Sequence, residues 1–429
     1  MRERHFEWRF FFCHTGWSGR GRSPRVDVIY DKLFPRLSRK TTSGRFIAEI
    51  DGLRFIAIAL VVIFHIRGYV AAKSPAVWSI PPETHLAARL TEVGHFGVQL
   101  FFIISGFVLA LPFATRYLAG GPVVSLRAYL LRRLTRLEPP YIIAMTAFFL
   151  LLVARADNTV RELGPHFLAS VAYVHNLVYE QGSLINVVAW SLEIEVQFYL
   201  LAPLLSTVFA IRSTFWRRAV IGGTSIALAL VQWKFVDPGS RLGLSLFNFA
   251  QFFLAGFLLA DIYLVEWRQQ PSTDRKWDVL ALVGWVAVVL SWMTPLTERL
   301  VFPFAALLAY TATFRGPLAH RVFTNPWITV IGGMCYTIYL LHYPFISAAG
   351  ARTISLAVSP DFGVNLLVQT LLLVPPLMIV STLYFPLIER PCMERDWPRR
   401  LAQHMAEVRR RTFLRWFPGL TFGKPGDRP

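Results

Sequence analysis

Apolar stretches about twenty residues long recur along most of this chain, separated by short segments in which arginine is concentrated. A bilayer core takes roughly 20 helical residues to cross, so each stretch predicts a membrane span. Ten are expected: 53–71, 94–112, 139–154, 188–211, 218–235, 244–265, 278–294, 299–314, 328–349 and 365–388. The predicted fold class is therefore all-α, a polytopic integral membrane protein of about ten transmembrane helices. One more segment, 164–180, is apolar but short and carries His166 and His175. Charge decides its status. With a cytoplasmic N-terminus and no crossing at 164–180, the inner loops and tails hold 34 of the 44 lysines and arginines. A crossing there would invert every later loop and turn the basic loops 212–218 and 266–277 outward, against the positive-inside rule. The segment is expected to be re-entrant or to lie on the outer surface, with both termini cytoplasmic.

Composition narrows this further. The 429 residues are 54% hydrophobic and 16% charged, with a mean hydropathy of +0.45. A net charge of +18 would suit a nucleic-acid partner. Here, however, the basic residues cluster between and beyond apolar spans, the pattern of membrane orientation and contact with anionic lipid, and no nucleic-acid partner is expected. Cys13, Cys335 and Cys392 are far apart and form no paired-cysteine motif, so neither a metal nor a disulfide framework is expected. Three regions follow: a basic cytoplasmic extension at 1–46, weakly amphipathic over 27–37 and without a secretory signal; a transmembrane domain at 47–391; and a basic cytoplasmic tail at 392–429. No soluble catalytic domain is expected after the last span.

The first span, DGLRFIAIALVVIFHIRGYV (51–70), carries the first candidate chemistry. Ionisable residues inside a span are costly and face a functional interior by default. Arg54 and His65 are eleven residues apart, which returns to within about 20° of the same helix face and separates them by roughly 16 Å. A snorkelling arginine and a hydrogen-bonded core histidine fit the pair as well. The loop ending LRRLTRLEPPY places Arg127, Arg132, Arg133 and Arg136 close together, Arg133 and Arg136 on one face, before Pro139-Pro140 is expected to reshape the backbone. Facing the same side as Arg54, they would make a phosphate site. Singly, each reads as ordinary positive-inside charge. The span from 188 opens AWSLEIEVQFY, with Glu193 and Glu195 at the depth of His65. Pointing about 200° apart, they cannot both face it. Ser105-Gly106 interrupts a bulky run, as a close helix contact requires. CYTIYLLHYPF spaces Tyr336, Tyr339 and His342 by threes, a pattern also common for packing and interfacial aromatics.

Taken in order, RFIAIALVVIFH, FFIISGF, RLTR with LEPPY, WSLEIEVQFY, YTIYLLHYP and ERP resemble the motif series of the acyltransferase-3 family of membrane acyltransferases. The resemblance implies about ten transmembrane helices, an acyl-CoA donor (usually acetyl-CoA) on the cytoplasmic side, and a carbohydrate or glycoconjugate acceptor, with no metal. It implies that Arg54 and His65 form the family's Arg-x10-His pair, that Arg133 and Arg136 form its Arg-x-x-Arg element, and that Glu195 is the glutamate of its Trp-Ser-Leu-x-x-Glu motif. Glu193 falls at a variable position and is assigned no chemistry. Cys335, Pro140 and the 46-residue extension depart from the usual pattern, and the fused SGNH-type hydrolase domain of some members is not expected. On this basis Arg54, Arg133 and Arg136 are expected at the donor's phosphates, His65 as general base or acyl-carrying nucleophile, and Glu195 as the group orienting it. Ser105, Tyr339 and His342 are candidates for substrate or oxyanion contact. A transporter of a small anion or modified sugar is the rival class, set back by the lack of an internal hydropathy repeat with matching broken spans.

Overall fold

The structure, a computed structural model, describes residues 34–40, 46–73, 86–155, 159–268, 270–356, 358–394 and 396–416. Among these residues every regular element is helical. The longer helices are α1 (Ala48–Lys73), α2 (Phe96–Leu118), α3 (Leu126–Ala154), α4 (Val160–Val171), α5 (Trp190–Leu205), α6 (Thr214–Phe235) and α7 (Ala250–Val265). They continue as α8 (Lys276–Leu290), α9 (Phe302–Arg315), α10 (Pro326–Gly333), α11 (Cys335–Thr353), α12 (Phe362–Tyr384) and α13 (Trp397–Trp416). Large apolar side chains such as Leu150, Leu151, Leu282, Leu371 and Leu383 stand exposed on the outer helices. An apolar exterior around a packed interior is the arrangement lipid demands, and the chain is an all-α, multi-pass membrane protein.

Among the described residues, six helical stretches are long and apolar enough to cross a membrane, or seven if the bent pair α10 and α11 is one span. The other three expected spans fall on α6, α7 and α9, and α7 is a shorter apolar helix of 16 residues. Segment 164–180 forms part of the 12-residue α4 and the single turn His175–Tyr179, joined through Tyr173 at positive φ. Neither piece is long enough to cross.

Two expectations need correction. The arginine-rich loop before residue 139 is not a loop from 126 onward: α3 begins at Leu126 and runs unbroken through Pro139 and Pro140. Proline removes the N–H that would serve the carbonyl four residues earlier. The carbonyl so released by Pro139 belongs to Thr135, and it accepts the Trp397 indole N–H at 2.9 Å. Tyr384 also donates to the Pro140 carbonyl at 2.6 Å. The span expected at 328–349 is likewise not one rod. It breaks at Met334, where α10 and α11 meet at 67°.

The core is built around α2, whose apolar residues are buried on nearly every side. A Cβ on Gly106 would come within 2.2 Å of the Phe253 carbonyl of α7, and one on Gly256 within 2.2 Å of the Ile103 carbonyl of α2. The two backbones touch because both positions lack a side chain, which is the close contact expected of Ser105-Gly106. Gly332 does the same for α10 against α1, where a Cβ would lie 1.8 Å from the Asp51 carbonyl.

Of the expected N-terminal extension, residues 1–33 and 41–45 lie outside the described residues, as does most of the amphipathic stretch 27–37. Residues 34–40 pack at the basic end of the bundle. Arg390 donates to the carbonyls of Pro35 (3.0 Å) and Ser38 (3.4 Å), and Lys40 pairs with Glu394. The Lys40 hydrogen bond holds the Glu394 carboxyl below the usual carboxylate range.

Gly332→Ala should lower the thermal midpoint in detergent, because all three atoms it would strike, in Asp51 and Phe55, are backbone; overpacking of this kind costs on the order of 1–3 kcal/mol. Gly68→Ala, on α1 with nothing within 4 Å of the added methyl, should leave the midpoint unchanged or slightly raised.

Candidate active site

Four guanidinium groups converge on one cavity. Arg54 comes from the first turns of α1, Arg133 and Arg136 from α3, and Arg39 from the segment preceding α1. The cavity encloses about 110 Å³, room for several waters or a narrow polar chain. Arg54 Nη1 donates to Asp51 Oδ1 at 2.5 Å, and Arg39 Nε lies 3.5 Å from the same oxygen. The Arg133 guanidinium stands 5.9 Å from the ring centres of both Tyr129 and Tyr199. Arg136 Nε and Arg39 Nε are buried without a hydrogen-bond partner among the described residues.

Much of the remaining wall is apolar, with Val98, Phe101, Phe102, Ile104, Val108 and Leu109 among its residues, and a few polar groups interrupt it. α11 starts at Cys335 on the cavity wall, and Glu389, also on that wall, accepts from Thr337 N at 3.0 Å and from its hydroxyl at 2.5 Å. A carboxylate at a helix N-terminus satisfies donors that otherwise lack partners. On the opposite wall Ser105 donates to Glu195 Oε1 at 2.7 Å. Tyr339 donates to the Val188 carbonyl at 2.6 Å, so in its 2.7 Å contact with Ser191 the serine is the donor. The protons of Ser105 and Tyr339, both candidates for oxyanion contact, are thus already engaged.

His65 lies on α1 with Arg54, as the spacing predicts, but beyond the cavity wall. Its partner is His342, whose Nε2 stands 3.2 Å from His65 Nδ1. The tautomers follow from the neighbours. His342 Nδ1 faces the carbonyls of Tyr339 (2.7 Å) and Ile338 (3.2 Å). Carbonyls only accept, so that nitrogen carries the proton and Nε2 presents a lone pair. His65 Nδ1 faces this lone pair and the Val61 carbonyl at 2.9 Å. It is therefore the protonated nitrogen, and the basic nitrogen of His65 is Nε2. Tyr343 and Phe64 pack edge-on against the ring, with centroids 5.4 and 5.3 Å away.

The structure thus gathers Arg54, Arg133, Arg136, Glu195, Ser105 and Tyr339 around the cavity and places His342 against His65. It does not bring Glu195 to His65. Glu195 is held by Ser105 on the cavity wall, and the group touching the His65 ring is His342. Glu193 points elsewhere, taking the Asn176 N–H at 2.8 Å and so pinning the turn after α4. Arg39 was not signalled by any pattern of its own, and Asp51 was marked only as the start of the Asp-Gly-Leu-Arg stretch that opens the first span. Glu389 was marked only as part of the Glu-Arg-Pro exit motif.

A multi-pass helical membrane protein with a guanidinium-lined cavity beside an intramembrane histidine pair is the class this geometry defines. The profile described as "Acyltransferase domain" matches residues 47–388, and the chain belongs to that family. Among curated proteins, "Putative O-acetyltransferase SACOL0978" of Staphylococcus aureus (strain COL) is 26% identical over 333 residues, covering 71% of this chain and 51% of the relative. "O-acetyltransferase OatA" of Staphylococcus aureus (strain NCTC 8325 / PS 47) is 24% identical over 341 residues, covering 73% and 53%. The chain spans about half the length of these relatives. No solved structure matches it.

Glu389→Ala should leave the Thr337 donors and the neighbouring Arg136 without their carboxylate, at a cost of about 3–5 kcal/mol. Glu389→Gln keeps an acceptor for Thr337 and should lose less. Thermal unfolding in detergent checks the order wild type, Gln, Ala.

Proposed function

We propose that this chain is a membrane O-acyltransferase that moves an acyl group, acetyl in the first instance, from a cytoplasmic acyl-CoA to a hydroxyl of a carbohydrate or glycoconjugate. The observation that carries the reading is the pairing, on one 26-residue helix, of an arginine that enters a four-guanidinium cavity with a histidine whose base nitrogen is set by a second histidine. Membership of the acyltransferase family supports the reaction class, and the relatives named as O-acetyltransferases support oxygen as the acceptor atom. The proposed setting is the bacterial cytoplasmic membrane, with both termini and the basic end of the bundle inside and lipid around the helices.

Coenzyme A carries its charge on phosphates at one end and its thioester at the end of a long flexible arm. Guanidinium groups bind phosphate by paired, charge-assisted hydrogen bonds, so Arg54, Arg133 and Arg136 are assigned to the donor's phosphates. The arm then lies along α1 toward His65, about 16 Å from Arg54 at the rise of an α-helix. With Nδ1–H given to Val61 and His342, His65 Nε2 takes the acceptor hydroxyl's proton as its oxygen attacks the thioester carbon. The tetrahedral intermediate collapses with loss of the coenzyme A thiolate, which recovers the proton from the imidazolium. His342 plays the orienting part that a carboxylate plays in a Ser-His-Asp triad, offering a lone pair to the ring's other N–H. The same free Nε2 also fits the nucleophilic variant, in which the acyl group passes through an acyl-imidazole.

His65→Ala should reduce acetyl transfer to polysaccharide, measured in membranes with normal expression, by a factor on the order of 10²–10⁴. His342→Phe, which cannot accept the His65 N–H, should lower the rate in the same direction without loss of donor binding. Unchanged transfer by His65→Ala would end the mechanism. Arg133→Ala combined with Arg136→Ala should weaken acetyl-CoA binding by about 10-fold or more, since each charge-assisted hydrogen bond is worth roughly 1.5–3 kcal/mol; isothermal titration checks it.

A further inference from the structure

Arg39 lies outside the region matched by the family profile, which begins at residue 47. Yet its guanidinium is one of the four at the cavity, with its side chain only 11% exposed. Three contacts put it there. Its backbone and Cβ pack on Gly333, at 3.8 and 3.5 Å from where a Cβ would project, beside the break between α10 and α11. Arg390 grips the carbonyls of Pro35 and Ser38 on the residues just before it. Lys40, just after it, pairs with Glu394. The segment is therefore clasped from both sides by residues that follow the last span, and the clasp fixes where Arg39 points.

Its charge is poorly matched. Asp51 is the carboxylate it approaches, and that same Oδ1 already accepts the closer Arg54 hydrogen bond. Arg39 Nε makes no hydrogen bond among the described residues. Burial, and then the nearby Arg54 guanidinium, pull its pKa down to about 9. A buried guanidinium with an unused donor, sharing one carboxylate oxygen with a second guanidinium, is completed by an anion.

We infer that Arg39 is a fourth phosphate ligand of the donor site, delivered by a segment outside the family's common domain and positioned by Arg390. The inference rests on the acyl-CoA reading above and adds to it a phosphate contact at the cavity mouth together with the residue that aims it.

The test uses the full chain in detergent or nanodiscs with two donors, acetyl-CoA and S-acetylpantetheine, which keeps the thioester and the arm but lacks every phosphate. Arg39→Ala should raise KM for acetyl-CoA about tenfold to a hundredfold, as loss of one charge-assisted contact does, with kcat nearly unchanged. It should leave KM for S-acetylpantetheine as in wild type, and Arg39→Lys should recover part of the loss. Arg390→Ala leaves Arg39 intact but drops Pro35 and Ser38, and it should give a smaller rise that is likewise confined to acetyl-CoA. Equal KM changes for both donors would make Arg39 a structural residue and overturn the inference, as would no change for either. The Arg133→Ala, Arg136→Ala double variant runs alongside. If it shows the phosphate-dependent rise and Arg39→Ala does not, this inference alone fails. If neither does, the donor reading fails with it.

Discussion

Uncompensated positive charge inside a membrane protein is the constraint from which the rest of this structure can be read. Taking a guanidinium out of water is expensive unless partners replace its solvation, and four such groups border a single cavity. Three carboxylates stand against them, one fewer than the guanidiniums: Asp51, whose Oδ1 takes Arg54; Glu389, which also accepts from the start of α11; and Glu195, which accepts from Ser105. A cavity in that condition is incomplete as it stands. The helix arrangement keeps it so, because the continuous α3 carries Arg133 and Arg136 to the same level as the first turns of α1, and the break at Met334 ends α10 just where the cavity begins.

How much of this was legible in the sequence differs by the range of the interaction. Arg54 and His65 share one helix, so a count of eleven residues was enough to put them on one face. Ser105-Gly106 announced a close crossing because only small residues permit one, and α7 supplies the matching Gly256. Contacts between distant parts of the chain left no such signal. His342 is 277 positions from His65, and its three-residue spacing with Tyr336 and Tyr339 resembled ordinary aromatic packing. Arg39 sits in a run of basic residues that any cytoplasmic extension would show, and what distinguishes it is the grip of Arg390, some 350 residues away. Glu195 matched its motif yet met Ser105 instead of the histidine, since a residue's depth in a span does not fix which neighbour it faces.

One local rule was overridden, with a visible compensation. Two adjacent prolines normally end a helix, but Trp397 takes up the Thr135 carbonyl that Pro139 leaves, and Tyr384 adds a hydrogen bond at Pro140. Both partners come from the last quarter of the chain. The same end of the molecule thus repairs α3, clasps residues 34–40 and caps α11 through Glu389. On the proposed reading, the residues that follow the last span are part of the donor site's scaffold and not a passive tail.

One step of the chemistry is left to rearrangement. Ser105 and Tyr339 carry hydroxyls on the cavity wall, and each has given its proton to an acceptor of the protein, Glu195 and Val188. An oxyanion gains from a donor only if that donor is aimed at it when charge develops. Of these two exchanges, Ser105 has the lower barrier in principle, because its acceptor is a side chain that can turn toward a neighbouring guanidinium. Tyr339 is bound to a backbone carbonyl that cannot turn away. On the proposed reading, a donor whose phosphates engage Arg133 and whose arm runs on toward His65 would thus release Ser105 first, with Glu195 turning from the hydroxyl. On that reading the glutamate of the Trp-Ser-Leu-x-x-Glu motif controls a hydroxyl at the cavity wall, a role separate from the orientation of His65.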